Sequence, residues 1–408
     1  MSYSPSKIIH EHIPKGTTVI FPFSFKTLPK IIFGSRVRHE ISQSVTQYGL
    51  KTLLITGGKS FVHSAYFNEL EKRLAGKDID YATENISAEP APKSIDDIVA
   101  KYGNEQMCSV VAIGGGSVLD AGKAVSAMLQ EDGPVADFLE GVGTKQPSGK
   151  KIPFIAVPTT SGTGSEVTSN AVLSRVGSEG FKKSLRHDNY IPDIAIIDPE
   201  LTVSCPPALT AACGMDCFSQ LVEAYLSTNS SPLTDAFSLQ GIHAISRSLL
   251  IAFRQGDNIE ARSDLSYAAM LSGIVLANAG LGTVHGFASV IGGILPVAHG
   301  ILCGTLMEPT NRLTLARLRQ QDTENPALKK YAVLGKVFSN KNQKHDAWYQ
   351  DHFINVLNQM SDNLEIPNLS KYHLTNETIE KIISDTGNKH NPVDFDHEDL
   401  ATILRSKC

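Results

Sequence analysis

The sequence is short of several things that would have named a function class outright. It has no basic run, and a formal net charge of −5 over 408 residues leaves little to hold a polyanion or an anionic bilayer. This argues against nucleic-acid and membrane partners and for small molecules. Its six cysteines (Cys108, Cys205, Cys213, Cys217, Cys303 and Cys408) contain no C-x-x-C pair. A zinc ribbon is therefore not indicated, and a chain of this size needs no disulfide framework, so reduced thiols and a cytoplasmic location are expected. Cys213 and Cys217 flank Asp216, but apolar packing is their expected role. Residues 1–18 are polar, are broken by Pro5, Pro14 and Gly16, and lack the apolar centre of a signal peptide. The most apolar stretch, 273–307, is interrupted by His285, His299 and repeated glycines, which suits packed interior helices better than a membrane span. No internal repeat or low-complexity tract is present.

What is there falls into two halves. Short apolar runs at Lys30–Gly34, Thr52–Thr56, Ser109–Ile113, Ile152–Val157 and Ile194–Ile197 read as buried strands. Helical patterns at Tyr66–Leu74, Lys93–Tyr102 and Val118–Met128 alternate with them, as in a parallel, doubly wound α/β sheet. After Pro206-Pro207 the alternation fades. Helical patterns then dominate at Ala208–Leu226, Pro232–Phe253, Glu260–Asn278 and Asn325–Val337, while Ser339–Asp351 is polar and undecided. The expectation is an α/β domain over 1–200 and an all-helical domain over 201–408, since 408 residues exceed one ordinary core.

Two glycine turns stand at strand ends. Gly114-Gly115-Gly116-Ser117 opens a helix, where backbone N–H groups can approach a pyrophosphate without obstruction by Cβ. It is not the G-x-G-x-x-G pattern, and a glycine turn alone is as often structural. Gly57-Gly58-Lys59-Ser60 ends like a P-loop, but the first glycine that motif requires would fall at Leu53, inside a strand, so a nucleoside triphosphatase is excluded. A third polar loop, Pro158–Gly164, offers threonine hydroxyls and glycines suited to wrapping a nucleotide. In the helical half Asp216 and Gln220 lie at i and i+4 and so share a helix face, while His285 and His299 bring imidazoles into small-residue surroundings. An oxygen–oxygen–nitrogen–nitrogen cage is possible. A lone histidine on an apolar helix is, however, more often a hydrogen-bonded core residue.

Taken in order, Gly115–Asp120, Pro158–Thr168, Asp198–Leu201, Gly214–Asp216, Asn278–His285 and His299-Gly300 resemble the blocks of the iron-containing (group III) alcohol dehydrogenase family. The resemblance covers most of the chain. It implies a Rossmann-like nucleotide-binding domain followed by a helical domain, the plan shared with dehydroquinate synthase. It also implies a dimer, and reversible hydride transfer between NAD(P)H and an aldehyde or ketone polarised by a divalent metal. The cofactor-binding positions it implies are Gly57, Gly58, Lys59, Ser60, Gly114, Gly115, Gly116, Ser117, Asp120, Thr159, Thr160, Thr163, Asn170, Lys182 and Leu201. The metal ligands it implies are Asp216, Gln220, His285 and His299, with Asp216, His285 and His299 carrying catalysis. Three departures matter. The family's acidic residue against a 2′-phosphate is Gly57 here, and Lys59 and Ser60 can receive that phosphate, so NADP(H) is expected over NAD(H). The family's usual histidine is Gln220, a weaker donor, so Fe2+ or Zn2+ should bind less tightly. Ser289 stands where a proton-relaying histidine is common. A metal-free reductase of the maleylacetate type, a dehydroquinate synthase-like lyase and a non-catalytic nucleotide-binding protein stay open as alternatives.

Overall fold

The computed structural model describes residues 22–175 and 180–408, so the polar segment 1–18 lies outside the described residues. In the first half, β1 (Lys30–Phe33), α1 (Glu40–Val45), β2 (Lys51–Gly57), α2 (Ala65–Ala75), β3 (Asp80–Ile86), α3 (Pro92–Tyr102), β4 (Ser109–Gly114), α4 (Gly116–Met128) and β5 (Phe154–Pro158) alternate. An antiparallel pair, β6 (Asn170–Arg175) and β7 (Phe181–Arg186), precedes β8 (Ile194–Ile197). Six strands form one parallel sheet in the order β1-β8-β5-β4-β2-β3.

Both sheet faces are covered, which is why the central strands read as continuous apolar runs. Leu53, Ile55, Val110, Ala112 and Phe154 pack with α3 and α4 on one face. Leu54, Val111, Ile113 and Ile155 pack with α1 and α2 on the other. The chain leaves β2 outward to β3 and then returns to β4 on the opposite side of β2. The carboxyl ends of β2 and β4 therefore flank the topological switch point, where open α/β sheets bind ligands. Gly57 ends β2 and Gly114 ends β4, so both glycine turns meet at this crevice.

The second half is helical among its described residues: α5 (Pro207–Leu226), α6 (Pro232–Arg254), α7 (Ile259–Ala279), α8 (Thr283–Ile294), α9 (His299–Gln321), α10 (Pro326–Val337), α11 (Asp346–Asn363), α12 (Asn376–Asp385) and α13 (His397–Arg405). The undecided stretch 339–351 thus holds the start of α11. The apolar stretch 273–307 is no straight span. It is divided between α7, α8 and α9, with a bend of 100° between α7 and α8. Gly280, at φ +72, makes this break, and a Cβ there would sit 2.4 Å from His390. α6 is long and apolar enough to cross a membrane by composition, but its buried Ile242, Ala244, Ile245 and Leu249 belong to the core shared with α5 and α7. Ala195 and Ile197 of β8 join that same core, so the two halves pack directly on one another.

Candidate active site at the cleft between the halves

Each candidate residue owes its position to a packing constraint. In the β4–α4 turn, Gly115 has extended φ and ψ (−74°, −177°), a conformation open to any residue, so glycine there is explained by space. A Cβ on Gly115 would lie 3.2 Å from Thr160 Oγ1, and one on Gly116 would lie 2.7 Å from Thr163 Cγ2. The turn and the threonine loop therefore form one close-fitted cradle, which Thr159 N–H closes by donating to Gly114 O at 2.9 Å. Gly115 O accepts from Val118 and Leu119, which leaves the N–H groups of Gly116 and Ser117 as the free donors at the start of α4. Such a cradle fits a pyrophosphate.

Gly57 also faces this helix: a Cβ there would lie 2.9 Å from Val118 Cγ2. Gly58 has φ +43 and open space around it, and Lys59 and Ser60 are exposed. Asp120 is differently employed. Its Oδ1 accepts from Ser165 Oγ at 2.5 Å and its Oδ2 from Val172 N–H at 3.0 Å, so it ties the threonine loop and β6 to α4. Lys123, one turn on and fully buried, donates to Ser165 O, Thr168 Oγ1 and Asn170 O at 2.7–3.2 Å. Burial pulls its ammonium down to about 8. Asn170 is thus tied to α4 through its carbonyl. Lys182 pairs with Glu89 at 2.6 Å and lies beside Gly292 at the end of α8. Leu201 is buried in the same core cluster as Ile113, Val157 and Ile196.

The metal-ligating groups converge as the helix spacing demands. Gln220 Nε2 donates to Asp216 Oδ1 at 3.0 Å, one turn apart on α5. His285 Nε2 lies 3.4 Å from that same oxygen, and His299 Nε2 lies 3.7 Å from it. Two further residues belong here that the sequence analysis did not select. Glu223, at i+7 from Asp216, accepts from His285 Nδ1 at 2.6 Å and from Val284 N–H at 2.7 Å. A carboxylate can only accept, so Nδ1 carries a proton and Nε2 is the ring nitrogen turned toward Asp216. Cys303, four residues after His299 on α9, places Sγ 3.6 Å from His285 Nε2. Asp216, His285, His299 and Cys303 each offer one ligand atom, all within 4.8 Å of one another. The i, i+4 spacing of His299 and Cys303 was a readable signal; the surrounding Ile-Leu-Cys-Gly simply looks apolar. Cys217 is fully buried in the helical core, as expected, whereas Cys213 lies against Gly162 of the threonine loop.

The electrostatics of the cluster are mutual. Burial works to raise the Asp216 carboxyl, but His299 and His285 hold it below its ordinary value. Burial works against charge on His285, yet Cys303, Glu223 and Asp216 raise it well above the ordinary imidazole range. Burial would raise the Cys303 thiol, but His285 and His299 bring it to about 7. The cluster thus gathers anionic oxygen, sulfur and imidazole nitrogen around one point, with His299 Nδ1 and Gln220 Oε1 buried and unpartnered. These are the donors that a borderline divalent cation takes. Ser289 Oγ is engaged on His285 O at 2.6 Å, and Lys389 Nζ donates to that carbonyl at 3.0 Å.

A glycine- and threonine-lined cradle in the first half and a metal-ligating cluster in the second agree with what comparison with known proteins finds. The family model described as iron-containing alcohol dehydrogenase matches residues 29–199. The model of the C-terminal part of the Fe-containing alcohol dehydrogenase family matches residues 210–408. Alcohol dehydrogenase 4 of Saccharomyces cerevisiae is 30% identical over 385 residues, covering 92% of this chain and 96% of the yeast protein. The NAD-dependent methanol dehydrogenase of Bacillus methanolicus is 34% identical over 283 residues, 69% of this chain and 73% of that one. Among solved structures, a 1,3-propanediol oxidoreductase superposes with a TM-score of 0.85 at 27% identity, over 95% of this chain and 100% of that one. With one family model matching residues 29–199 and the other residues 210–408, the chain belongs to the iron-containing alcohol dehydrogenase family.

Proposed function

We propose that this enzyme, which interconverts an alcohol and an aldehyde or ketone, takes NADP(H) in preference to NAD(H) and holds its cation through Asp216, His285 and His299. The observation that carries the reading is the convergence of these three donors beside the nucleotide cradle. A bound cation would polarise the substrate oxygen while the nicotinamide exchanges hydride with the carbonyl carbon. The chain's own residues do the placing. Gly114, Gly115, Gly116 and Ser117, with Thr159, Thr160 and Thr163, cradle the diphosphate, and Lys123 and Asp120 hold that loop to α4. Asn170, Lys182 and Leu201 border the rest of the nucleotide. Gly57 and Gly58 present no carboxylate to a 2′-phosphate, and exposed Lys59 and Ser60 can pair with it. Gln220 steadies Asp216, and Glu223 fixes the tautomer of His285.

We assign residues 1–200 to cofactor binding and 201–408 to metal and substrate. We also take the enzyme to be a cytoplasmic homodimer, a location consistent with six unpaired cysteines. The test is a turnover assay with NADPH and NADH over a panel of aldehydes and ketones, with and without a strong chelator. Higher kcat/KM with NADPH, loss of turnover in chelator and recovery with Fe2+ or Zn2+ are expected. Full activity in chelator, unchanged in Asp216→Ala, would move the enzyme to the metal-free reductases.

A further inference from the structure

We infer that the fourth protein donor of the metal site is the Cys303 thiolate and not Gln220, which makes this a sulfur-containing site suited to Zn2+ or Co2+, one that would expand to five ligands to take the substrate oxygen. This rests on the reading above that the chain binds a divalent cation, and it concerns only how it does so.

Zinc bonds of about 2.0–2.1 Å to nitrogen or oxygen and about 2.3 Å to sulfur, set at tetrahedral angles, require N···O edges of about 3.4 Å and N···S edges of about 3.6 Å. The structure has His285 Nε2 to Asp216 Oδ1 at 3.4 Å and His285 Nε2 to Cys303 Sγ at 3.6 Å. His299 Nε2 to Asp216 Oδ1, at 3.7 Å, is slightly long, and all four donors lie within 4.8 Å of one another. Right angles at the same nitrogen and oxygen bond lengths would instead bring neighbouring donors to about 2.9 Å. The three edges at His285 Nε2 and Asp216 Oδ1 are thus closer to tetrahedral than to right-angle spacing, and one of them ends on sulfur.

Gln220 is placed for another task. Its amide N–H donates to Asp216 Oδ1, the very oxygen that faces both imidazoles, so it orients that carboxylate from behind. Its Oε1 is buried without a hydrogen-bond partner and is the competing donor. Charge favours the thiolate. With Asp216 and Cys303 both anionic, the ligand set neutralises a dication, whereas the set with Gln220 leaves one positive charge uncompensated in a buried site. The second anion compensates for the imidazole that Gln220 replaces. Sulfur ligation also favours Zn2+ over harder cations.

The test uses the full chain, stripped by chelator and titrated anaerobically with Co2+. One equivalent should bind with a thiolate-to-cobalt charge-transfer band in the near ultraviolet. Gln220→Ala should keep that band. Cys303→Ser should lose it and weaken Zn2+ binding by at least about tenfold in competition with a chromophoric chelator. Stoichiometric Co2+ binding without the band, or a band that survives in Cys303→Ser, overturns the inference and leaves the metal reading standing. No Co2+ binding by the wild type overturns both. If Cys303→Ser does not fold, X-ray absorption of the wild type loaded with one equivalent of Zn2+ decides. A sulfur shell at about 2.3 Å is expected, and a shell of nitrogen and oxygen alone overturns the inference.

Discussion

Replacing Gly115 by valine separates the role of the β4–α4 turn in nucleotide binding from any role in folding. At φ −74 and ψ −177 the backbone accepts a side chain without strain, so the substitution is felt only in the space in front of the turn. There the added Cβ already meets Thr160 Oγ1 at 3.2 Å and Thr160 Cγ2 at 3.3 Å. The two methyl groups beyond it must either displace Thr160 or stand over the N–H groups of Gly116 and Ser117. Losing close approach of about two backbone donors to an anion costs about 2 kcal/mol or more, roughly a thirtyfold weakening of nucleotide affinity. Gly115→Ala, which needs Thr160 to give by only a few tenths of an ångström, should fall well short of that. Calorimetric titration with NADPH and NADH measures the loss, and thermal melting of the free protein checks the fold. Unchanged affinity in a folded Gly115→Val protein would refute the placement of the pyrophosphate at this turn.

At Gly57 the bare substitution is blocked by Val118 Cγ2, 2.9 Å from the new Cβ, so Gly57→Asp should act cleanly only with Val118→Ala. The pair should shift the kcat/KM ratio toward NADH by about tenfold or more, and a ratio that stays put would show that the 2′-phosphate is read elsewhere. Glu223→Ala removes the acceptor that fixes His285 and should lower metal affinity about 10–100-fold, with nucleotide affinity unchanged. Competition with a chelator measures it. Burial lifts the Glu166 carboxyl to about 7, against an ordinary value of 4.5, despite the pull of Lys123. The folded state therefore keeps a proton that the unfolded chain loses between those values, and stability falls as pH rises through this window. Glu166→Gln should match the wild type near pH 4.5 and exceed it by about 3 kcal/mol above pH 7. Urea unfolding at the two pH values checks the sign, and parallel profiles would contradict it.

How much could be read from the sequence depended on how many faces of each element are buried. β2, β4, β5 and β8 are covered on both sides and announce themselves as apolar runs. β3, Asp-Tyr-Ala-Thr-Glu-Asn-Ile, lies at the sheet edge and is mostly accessible, so it carries no such pattern. The β6–β7 pair is likewise a two-stranded flap rich in Lys and Arg. Within the site, Asp216 and Gln220 were legible because a shared helix face is a local property. The partnership of Lys123 with Ser165, Thr168 and Asn170 was not, because it spans more than forty residues and uses backbone carbonyls, which leave no trace in residue type.

The two halves of the cleft are held at a fixed spacing by backbone contact, and this has a kinetic consequence. The loop after β5 lies directly on α7. A Cβ on Gly273 would sit 2.3 Å from Gly164 O, and one on Gly164, at φ +64, would sit 2.5 Å from the Gly273 backbone. Ser161 and Ser266 hydroxyls meet at 3.1 Å, and Gly162 packs on Cys213, three residues before Asp216. The nearest atom to the new Cβ on Gly273 is a backbone carbonyl, which cannot turn aside, and the Val167 side chain follows at 2.7 Å. Gly273→Ala, inside a helix where alanine is otherwise favoured, must therefore push that loop away from α7 and so shift it relative to α5, which packs on α7 and carries Asp216. Neither the β4–α4 turn nor the Asp216–His285–His299 cluster is itself touched by the new methyl group. Nucleotide and metal affinities should stay within a few-fold of wild type, while kcat falls by about a hundredfold, the cost of a misplacement of about 1 Å between reacting groups. Steady-state kinetics beside two binding titrations distinguish the cases. An unchanged kcat would mean that the loop can yield without moving the cofactor, and a loss confined to nucleotide affinity would mean that the contact shapes the cradle and not the distance across the cleft.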